Sequence, residues 1–290
     1  MPTRASRKQP KVLNADCLSH IPWLLHGFST RVGGSSRVYG GEALNLGFTK
    51  HDSRAAVERN RTVFLRQVGA ITGKQHWPLV TLRQVHSDLI HCVCEVPENA
   101  LVGDGLLTQQ PGIVLAVQTA DCLPIILVDI KHRAVGVVHA GWRGTVKRIV
   151  EKAVGEMQLH FGSLPRDIHA AIGSGIHNCC YQVGPEVRDN FESQFAYSAE
   201  LFHETRDSDE IREKYPLLFL SARAPGHSEL PKKIFLDLVE ANRRQLLDAG
   251  VRRKNIDASP LCTACHPDLL FSHRAEHGVT GRMLAVVGIV

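Results

Sequence analysis

The chain has 290 residues, 43% of them hydrophobic and 22% charged, which suits a globular α/β protein with ample length for a core. No apolar run approaches the roughly 20 residues of a bilayer span, and the basic N-terminus lacks the apolar stretch of a secretory signal; the expectation is a cytoplasmic protein with no membrane partner. The net charge of +5 is a poor argument for nucleic acid, because Arg4, Arg7, Lys8 and Lys11 all precede the first acid, Asp16. Residues 1–11 therefore read as a basic disordered leader, residues 12–290 as one domain, and no nucleic-acid partner is expected.

In chain order, His26 to Gly34 reads as a strand running into a Gly-rich turn, and a glycine- and serine-rich loop continues to Asn45-Leu46-Gly47. Residues 53–69 have helical character, with Ala56, Val57, Val63, Phe64 and Val68 as the apolar set. The segment 78–96 alternates as strands do. Ile113–Val117, Ile125–Val128 and Ala134–Val138 are β-branched strands, with Thr119-Ala120-Asp121 a turn between the first two. A helix is expected to begin near Gly144, because Val146, Ile149, Val150, Ala153, Val154 and Met157 form one stripe; it ends before Gly162 and Pro165. Ile168 to Ile172 is a further strand, and Pro185 opens a short helix. The stretch 203–232 is charged and proline-rich, expected as a surface insertion. A long helix is expected from Lys233 to Ala249, stopped by Gly250, and Leu284 to Val290 is a buried-type strand. Strands interleaved with helices throughout argue for a single α/β domain.

Three strand ends carry the chemistry. His86 stands in Leu82-Arg83-Gln84-Val85-His86-Ser87, Cys122 in Thr119-Ala120-Asp121-Cys122-Leu123-Pro124, and His139 in Val137-Val138-His139-Ala140-Gly141-Trp142-Arg143-Gly144. Two imidazoles and one thiolate are a ligand set for catalytic zinc with one position free; they also suit a cysteine nucleophile with a histidine base. Asp121 disfavours a metal-free thiolate at Cys122, which tilts the reading toward a metal. The GWRG turn entering a helix is a candidate anion site, with Arg143 offering a forked, charge-assisted contact. Arg31, Asn45, Asp104, Tyr181 and Arg274 are polar residues in Gly-rich or strand-end loops that together could line one pocket.

Eight cysteines in a chain of this size are expected to be reduced rather than a disulfide framework. Cys262-Thr263-Ala264-Cys265-His266 matches a haem-attachment pattern, but that chemistry belongs to exported proteins. A four-thiolate zinc site joining Cys262 and Cys265 to Cys179 and Cys180 is not expected, because the vicinal pair lacks the usual two-residue gap. Scattered histidines such as His132, His160, His169, His203 and His227 read as surface residues.

The ordered motifs from His26-Gly27-Phe28-Ser29-Thr30-Arg31 through Gln84-Val85-His86, Asp104-Gly105, Thr119 to Pro124, His139 to Gly144, Tyr181-Gln182-Val183-Gly184, Ser272-His273-Arg274 and Thr280-Gly281-Arg282 resemble the YfiH-type family. That family is also called laccase-domain or multicopper polyphenol oxidase-like, with members described as purine nucleoside phosphorylases and peptidoglycan-editing factors. Gly173-Ser174-Gly175-Ile176 departs from it where relatives commonly have proline after the first glycine. The resemblance implies an α-β-β-α sandwich with two mixed sheets inside and zinc on the positions matched by His86, Cys122 and His139. It also implies phosphorolysis of adenosine, inosine and methylthioadenosine, with adenosine deaminase activity alongside. On that reading purine nucleosides and phosphate are the partners. His86, Cys122, His139 and Arg143 are catalytic, and Arg31, Asn45, Asp104 and Tyr181 bind substrate. A Cys-His amidase acting on peptidoglycan precursors is the alternative. Copper is a possible metal, although a multicopper oxidase needs histidine pairs that this sequence lacks.

Overall fold

A computed structural model describes residues 9–206 and 232–290. In chain order, β1 (Val12–Leu13) and the helical turn α1 (Asp16–Ser19) precede β2 (Leu24–Ser29) and β3 (Val32–Ser36). Helix α2 (Arg54–Gln67) leads to β4 (Leu79–Arg83), β5 (Ile90–Cys92), β6 (Leu101–Val102) and β7 (Gly105–Thr108). The strands β8 (Val114–Thr119), β9 (Leu123–Asp129) and β10 (Ala134–Ala140) run into α3 (Trp142–Val146) and α4 (Ile149–Phe161). There follow β11 (Ile168–Ile172), β12 (Gln182–Val183), α5 (Pro185–Gln194), β13 (Phe202–Arg206) and β14 (Lys232–Leu236). Helix α6 (Leu238–Asp248), β15 (Ile256–Ala258) and β16 (Met283–Ile289) complete the chain.

Two six-stranded mixed sheets form, in the orders β1-β2-β16-β8-β4-β6 and β15-β11-β9-β10-β7-β5, beside a small sheet β12-β14-β13. Alternation along the strands decides the layers. Leu115 and Val117 of β8 share one core with Ile126 and Val128 of β9 and Val135 and Val137 of β10, so the sheets pack face to face. Val114 and Ala116, on the other side of β8, pack with Phe64 and Leu65 of α2. Ile125 and Leu127 of β9 pack outward against Val150, Ala153 and Met157 of α4 and Leu238 and Leu246 of α6. Four layers result, helix, sheet, sheet, helix, as the resemblance implies. Full burial of each valine, leucine, isoleucine, phenylalanine or methionine among them contributes roughly 1.5–3 kcal/mol. The C-terminal strand β16 has every residue buried because it pairs on both edges, with β2 and β8.

Local chemistry sets the helix ends. The Ser53 hydroxyl accepts from the Ala56 amide and caps α2, and the Asp237 carboxylate does the same for α6 through Glu240. Two expectations change. The helix expected from Gly144 starts earlier, at Trp142, and is broken at Arg148, whose φ of 62° lies in the left-handed region. Its guanidinium is held by Glu151 and the Gln194 carbonyl. The helix expected from Lys233 begins only at Leu238. Residues Lys232–Leu236 instead pair with Phe202–Arg206, because Ile234 and Phe235 suit a ladder and Asp237 starts the helix after them.

Most of the stretch 203–232 lies outside the described residues, as do His227 and residues 1–8 of the leader. Lys11 already belongs to the fold, since its carbonyl accepts from the amide and hydroxyl of Thr30. Among the described residues no helix is long and apolar enough to cross a membrane.

Candidate metal centre and its pocket

The site forms where β4 and β8 end, β9 begins and β10 ends, so it straddles the two sheets. His86 lies three residues beyond β4, Cys122 immediately precedes β9 after a tight turn, and His139 is near the end of β10. One ligand atom from each lies within 4.8 Å of the other two; Cys122 Sγ and His86 Nε2 are 4.0 Å apart. The two imidazoles meet edge to face with centroids 4.9 Å apart. Gly141 leaves the room: a Cβ there would stand 2.9 Å from Cys122 Sγ and 3.1 Å from His86 Cδ2.

Backbone conformation is unusual at both loops. His86 has φ 57° and Asp121 φ 96°, positions that side chains rarely adopt and that persist only when the surroundings fix them. At His86 the fixing group is Asp104. Its carboxylate accepts from the amides of Val85, His86 and Ser87 at 3.2, 3.1 and 2.6 Å and from the Ser87 hydroxyl at 2.7 Å. At Asp121 the carboxylate accepts from Thr263 Oγ1 at 2.6 Å and from the Arg274 amide at 2.7 Å.

Asp104 also lies 2.8 Å from His139 Nδ1, which keeps the proton on that nitrogen and leaves Nε2 free to ligate. Asp104 is fully buried, and burial would raise its pKa; the hydrogen bonds from His139 and Ser87 outweigh this and hold it well below the usual carboxylate range. Burial likewise opposes ionisation of Cys122, but the neighbouring charges and hydrogen bonds of His139 and His86 bring the thiol down to about 6. The same pairing raises His139 against its own burial. The expectation that Asp121 would suppress the thiolate is corrected: its carboxylate is committed to Thr263 and Arg274, and the imidazoles dominate.

These residues wall a cavity of about 560 Å³ that also meets Arg83, Arg143, Arg274, Arg282, His273, Trp142 and Tyr181. Four arginines line it against one carboxylate, Asp121, whose oxygens are already engaged; Arg274 also donates to the Gln182 carbonyl and Arg282 to those of Thr280 and Gly281. Arg143 is exposed and stacks over Trp142 at 4.4 Å. The helix that carries it, α3, has only five residues, so the expected helix-dipole contribution is small. A larger cavity of about 710 Å³ beside α2 meets none of these three side chains.

Of the other residues singled out in the sequence, Tyr181 and Arg274 reach this cavity and Arg31 and Asn45 do not. Arg31 is spent on the carbonyls of Pro267 and Tyr39 and on Glu276. Asn45 is buried, bridging Asp52, Gly47 and the Arg282 amide. Asp104 stands behind His139 rather than in the cavity. Arg83 and Arg282 also line it; in the sequence each stands inside a motif, Leu82 to Ser87 and Thr280-Gly281-Arg282, whose pattern alone gives the arginine no role.

Zinc fits these groups, since the donors converge, a carboxylate orients one imidazole, and the remaining side opens to the cavity. A family model described as multi-copper polyphenol oxidoreductase laccase matches residues 25–290. The chain belongs to this YfiH-type laccase-domain family. Within the family it is 35% identical over 284 residues to the purine nucleoside phosphorylase YlmD of Geobacillus stearothermophilus, covering 92% of this chain and 94% of that protein. It is 37% identical over 205 residues to adenosine deaminase RL5 from an unknown prokaryotic organism, 68% of this chain and 69% of the relative. The crystal structure of YlmD from G. stearothermophilus matches with a TM-score of 0.75 at 32% identity, covering 99% and 98% of the two chains.

Proposed function

We propose that this laccase-domain chain is a zinc-dependent enzyme of purine nucleosides. It phosphorolyses adenosine, inosine and methylthioadenosine and also deaminates adenosine. The observation that carries the reading is the convergence of His86, Cys122 and His139 on the wall of a cavity rich in guanidinium groups. The names of two relatives, a purine nucleoside phosphorylase and an adenosine deaminase, supply the substrate class. His86, Cys122 and His139 would hold the metal, which supplies Lewis acidity when bound. Zinc is favoured over copper because the trio opens on a cavity, the arrangement of a catalytic zinc with one position free.

In phosphorolysis a phosphate oxygen bonds to ribose C1′ as the C1′–N9 bond breaks, and the purine leaves with a proton. Arg143 and Arg274 hold the phosphate dianion by charge-assisted hydrogen bonds, and their preorganised charge favours the transition state. Trp142 and Tyr181 offer flat apolar faces to the base and exclude water from it. In deamination water adds at C6 and ammonia leaves, a reaction that needs no phosphate.

The experiment is a panel of adenosine, inosine and methylthioadenosine with and without phosphate, separating free base, ribose 1-phosphate and inosine. Phosphate-dependent base release is expected, together with its loss in metal-free His139→Ala and Cys122→Ala chains. Full turnover in those variants would reject the reading. Arg143→Ala is expected to raise KM for phosphate at least tenfold, a loss of roughly 1.4 kcal/mol, while KM for nucleoside moves less.

A second reading rests on the depressed thiol of Cys122: a thiolate beside His139 could attack an amide without metal. A trapped acyl-enzyme on Cys122, formed in the presence of chelator, would favour it.

A further inference from the structure

Far from each other in sequence, Cys179, Cys180, Cys262 and Cys265 bring their four sulfurs within 4.8 Å of one another. Cys265 Sγ is 3.5 Å from Cys179 Sγ and 3.4 Å from Cys180 Sγ. Four thiolates around one zinc at about 2.3 Å sit at the corners of a tetrahedron with edges of about 3.8 Å, so the cluster already has nearly the required size. The vicinal pair, which argued against such a site in the sequence, is accommodated by a helical turn. The amides of Cys180 and Tyr181 both donate to the His177 carbonyl, at 2.9 and 2.8 Å. Successive side chains then point about 100° apart and both sulfurs reach Cys265.

The surroundings are those of a ligand knuckle. Cys262 Sγ accepts from the His177 amide at 3.4 Å, as a charged sulfur requires when buried. Cys179 and Cys265 are exposed and Cys180 is half-buried, whereas a free cysteine usually hides as a small apolar group. A packing role explains Cys262 alone.

We infer that these four cysteines bind a second metal ion, a thiophilic divalent cation of the zinc class, in a closed structural site separate from the catalytic pocket. Four protein ligands leave no position for a reactant, so the ion acts by tying two loops together. One loop runs through Gly175 and Cys179–Cys180 to Tyr181; the other runs from Cys262 to Arg274. They already meet through the Thr263 amide and the Gly175 carbonyl at 2.9 Å. Both carry pocket groups: Tyr181 follows Cys180 directly, and Thr263 and Arg274 anchor Asp121. The ion thus fixes the part of the pocket wall that Tyr181, Arg274 and Asp121 form.

The test counts zinc in the purified full-length chain, in a His86→Ala/His139→Ala chain and in a Cys179→Ser/Cys265→Ser chain. The imidazole variant is expected to keep one zinc per chain, with an X-ray absorption shell of four sulfurs at about 2.3 Å. The cysteine variant is expected to lose one zinc relative to the full-length chain. A zinc-free imidazole variant, or a nitrogen and oxygen shell in it, would overturn the inference. So would a cysteine variant with undiminished zinc, or Cys265 disulfide-bonded to Cys179 or Cys180 in protein isolated without oxidant. Because the cluster is read in a variant that lacks both catalytic imidazoles, failure of the nucleoside-enzyme reading leaves this result unaffected.

Discussion

At Asp104 one buried carboxylate gathers five donors: three consecutive amides, the Ser87 hydroxyl and His139 Nδ1. It therefore sets both the left-handed backbone at His86 and the ring orientation at His139, positioning two of the three converging side chains. Asp104→Asn is expected to lower zinc affinity by about 10–100-fold, measured by chelator competition; unchanged affinity would mean that the ligands hold their places unaided. Gly141→Ala tests the same site sterically, since its new methyl would press on Cys122 and His86. It is expected to weaken zinc binding while leaving the far-UV circular dichroism spectrum intact. The three side chains that converge were legible in the sequence because each stands at a strand end beside turn chemistry. Asp104 was legible only as a polar loop residue, and Arg31 and Asn45 looked the same. Which of these turns toward the cavity and which satisfies a neighbouring carbonyl is decided by long-range packing.

Among the elements, long apolar runs were readable and breaks in them were not. The strands β8, β9, β10 and β16 declare themselves through buried β-branched residues. The left-handed kink at Arg148 does not, because it depends on Glu151 and the distant Gln194 carbonyl. Similarly, Lys232–Leu236 becomes a strand because β13 offers it a partner, an override that local propensity cannot show. The β9–β10 hairpin has its own anchor in Asp129, whose carboxylate accepts from the amides of Lys131 and His132 and pairs with His132 Nδ1 at 2.7 Å. Burial would raise its pKa, but the neighbouring Ser163 hydroxyl, then His132 and the two amides, bring it below the ordinary value. The stability it confers is complete above the unfolded-chain pKa near 3.9 and is lost as pH falls through the lower folded-state value. Asp129→Asn is accordingly expected to cost about 1–3 kcal/mol at neutral pH and progressively less below about pH 4. Urea unfolding at pH 7 and pH 3 checks this; an equal cost at both would remove the carboxylate's charge from the account.

For the whole molecule, the ligand trio is a joint between layers. His86 follows a strand of one sheet, His139 belongs to the other, and Cys122 sits in the connection that crosses between them. A divalent ion held by all three binds only when both sheets are assembled in register, so its binding free energy adds to folding free energy. The addition is RT ln(1 + [Zn]/Kd), about 2.7 kcal/mol at free zinc a hundredfold above Kd. For a domain of this size that corresponds to a rise in Tm of several degrees. Thermal unfolding of the wild-type and Cys122→Ala chains, each stripped by chelator and then titrated with zinc, isolates the effect because both retain the four-cysteine cluster. The wild type is expected to show the larger zinc-dependent rise, and the difference between the two chains is the contribution of the His86, Cys122 and His139 trio. Identical rises would place the stabilising ion elsewhere and leave the two sheets joined by their apolar interface alone.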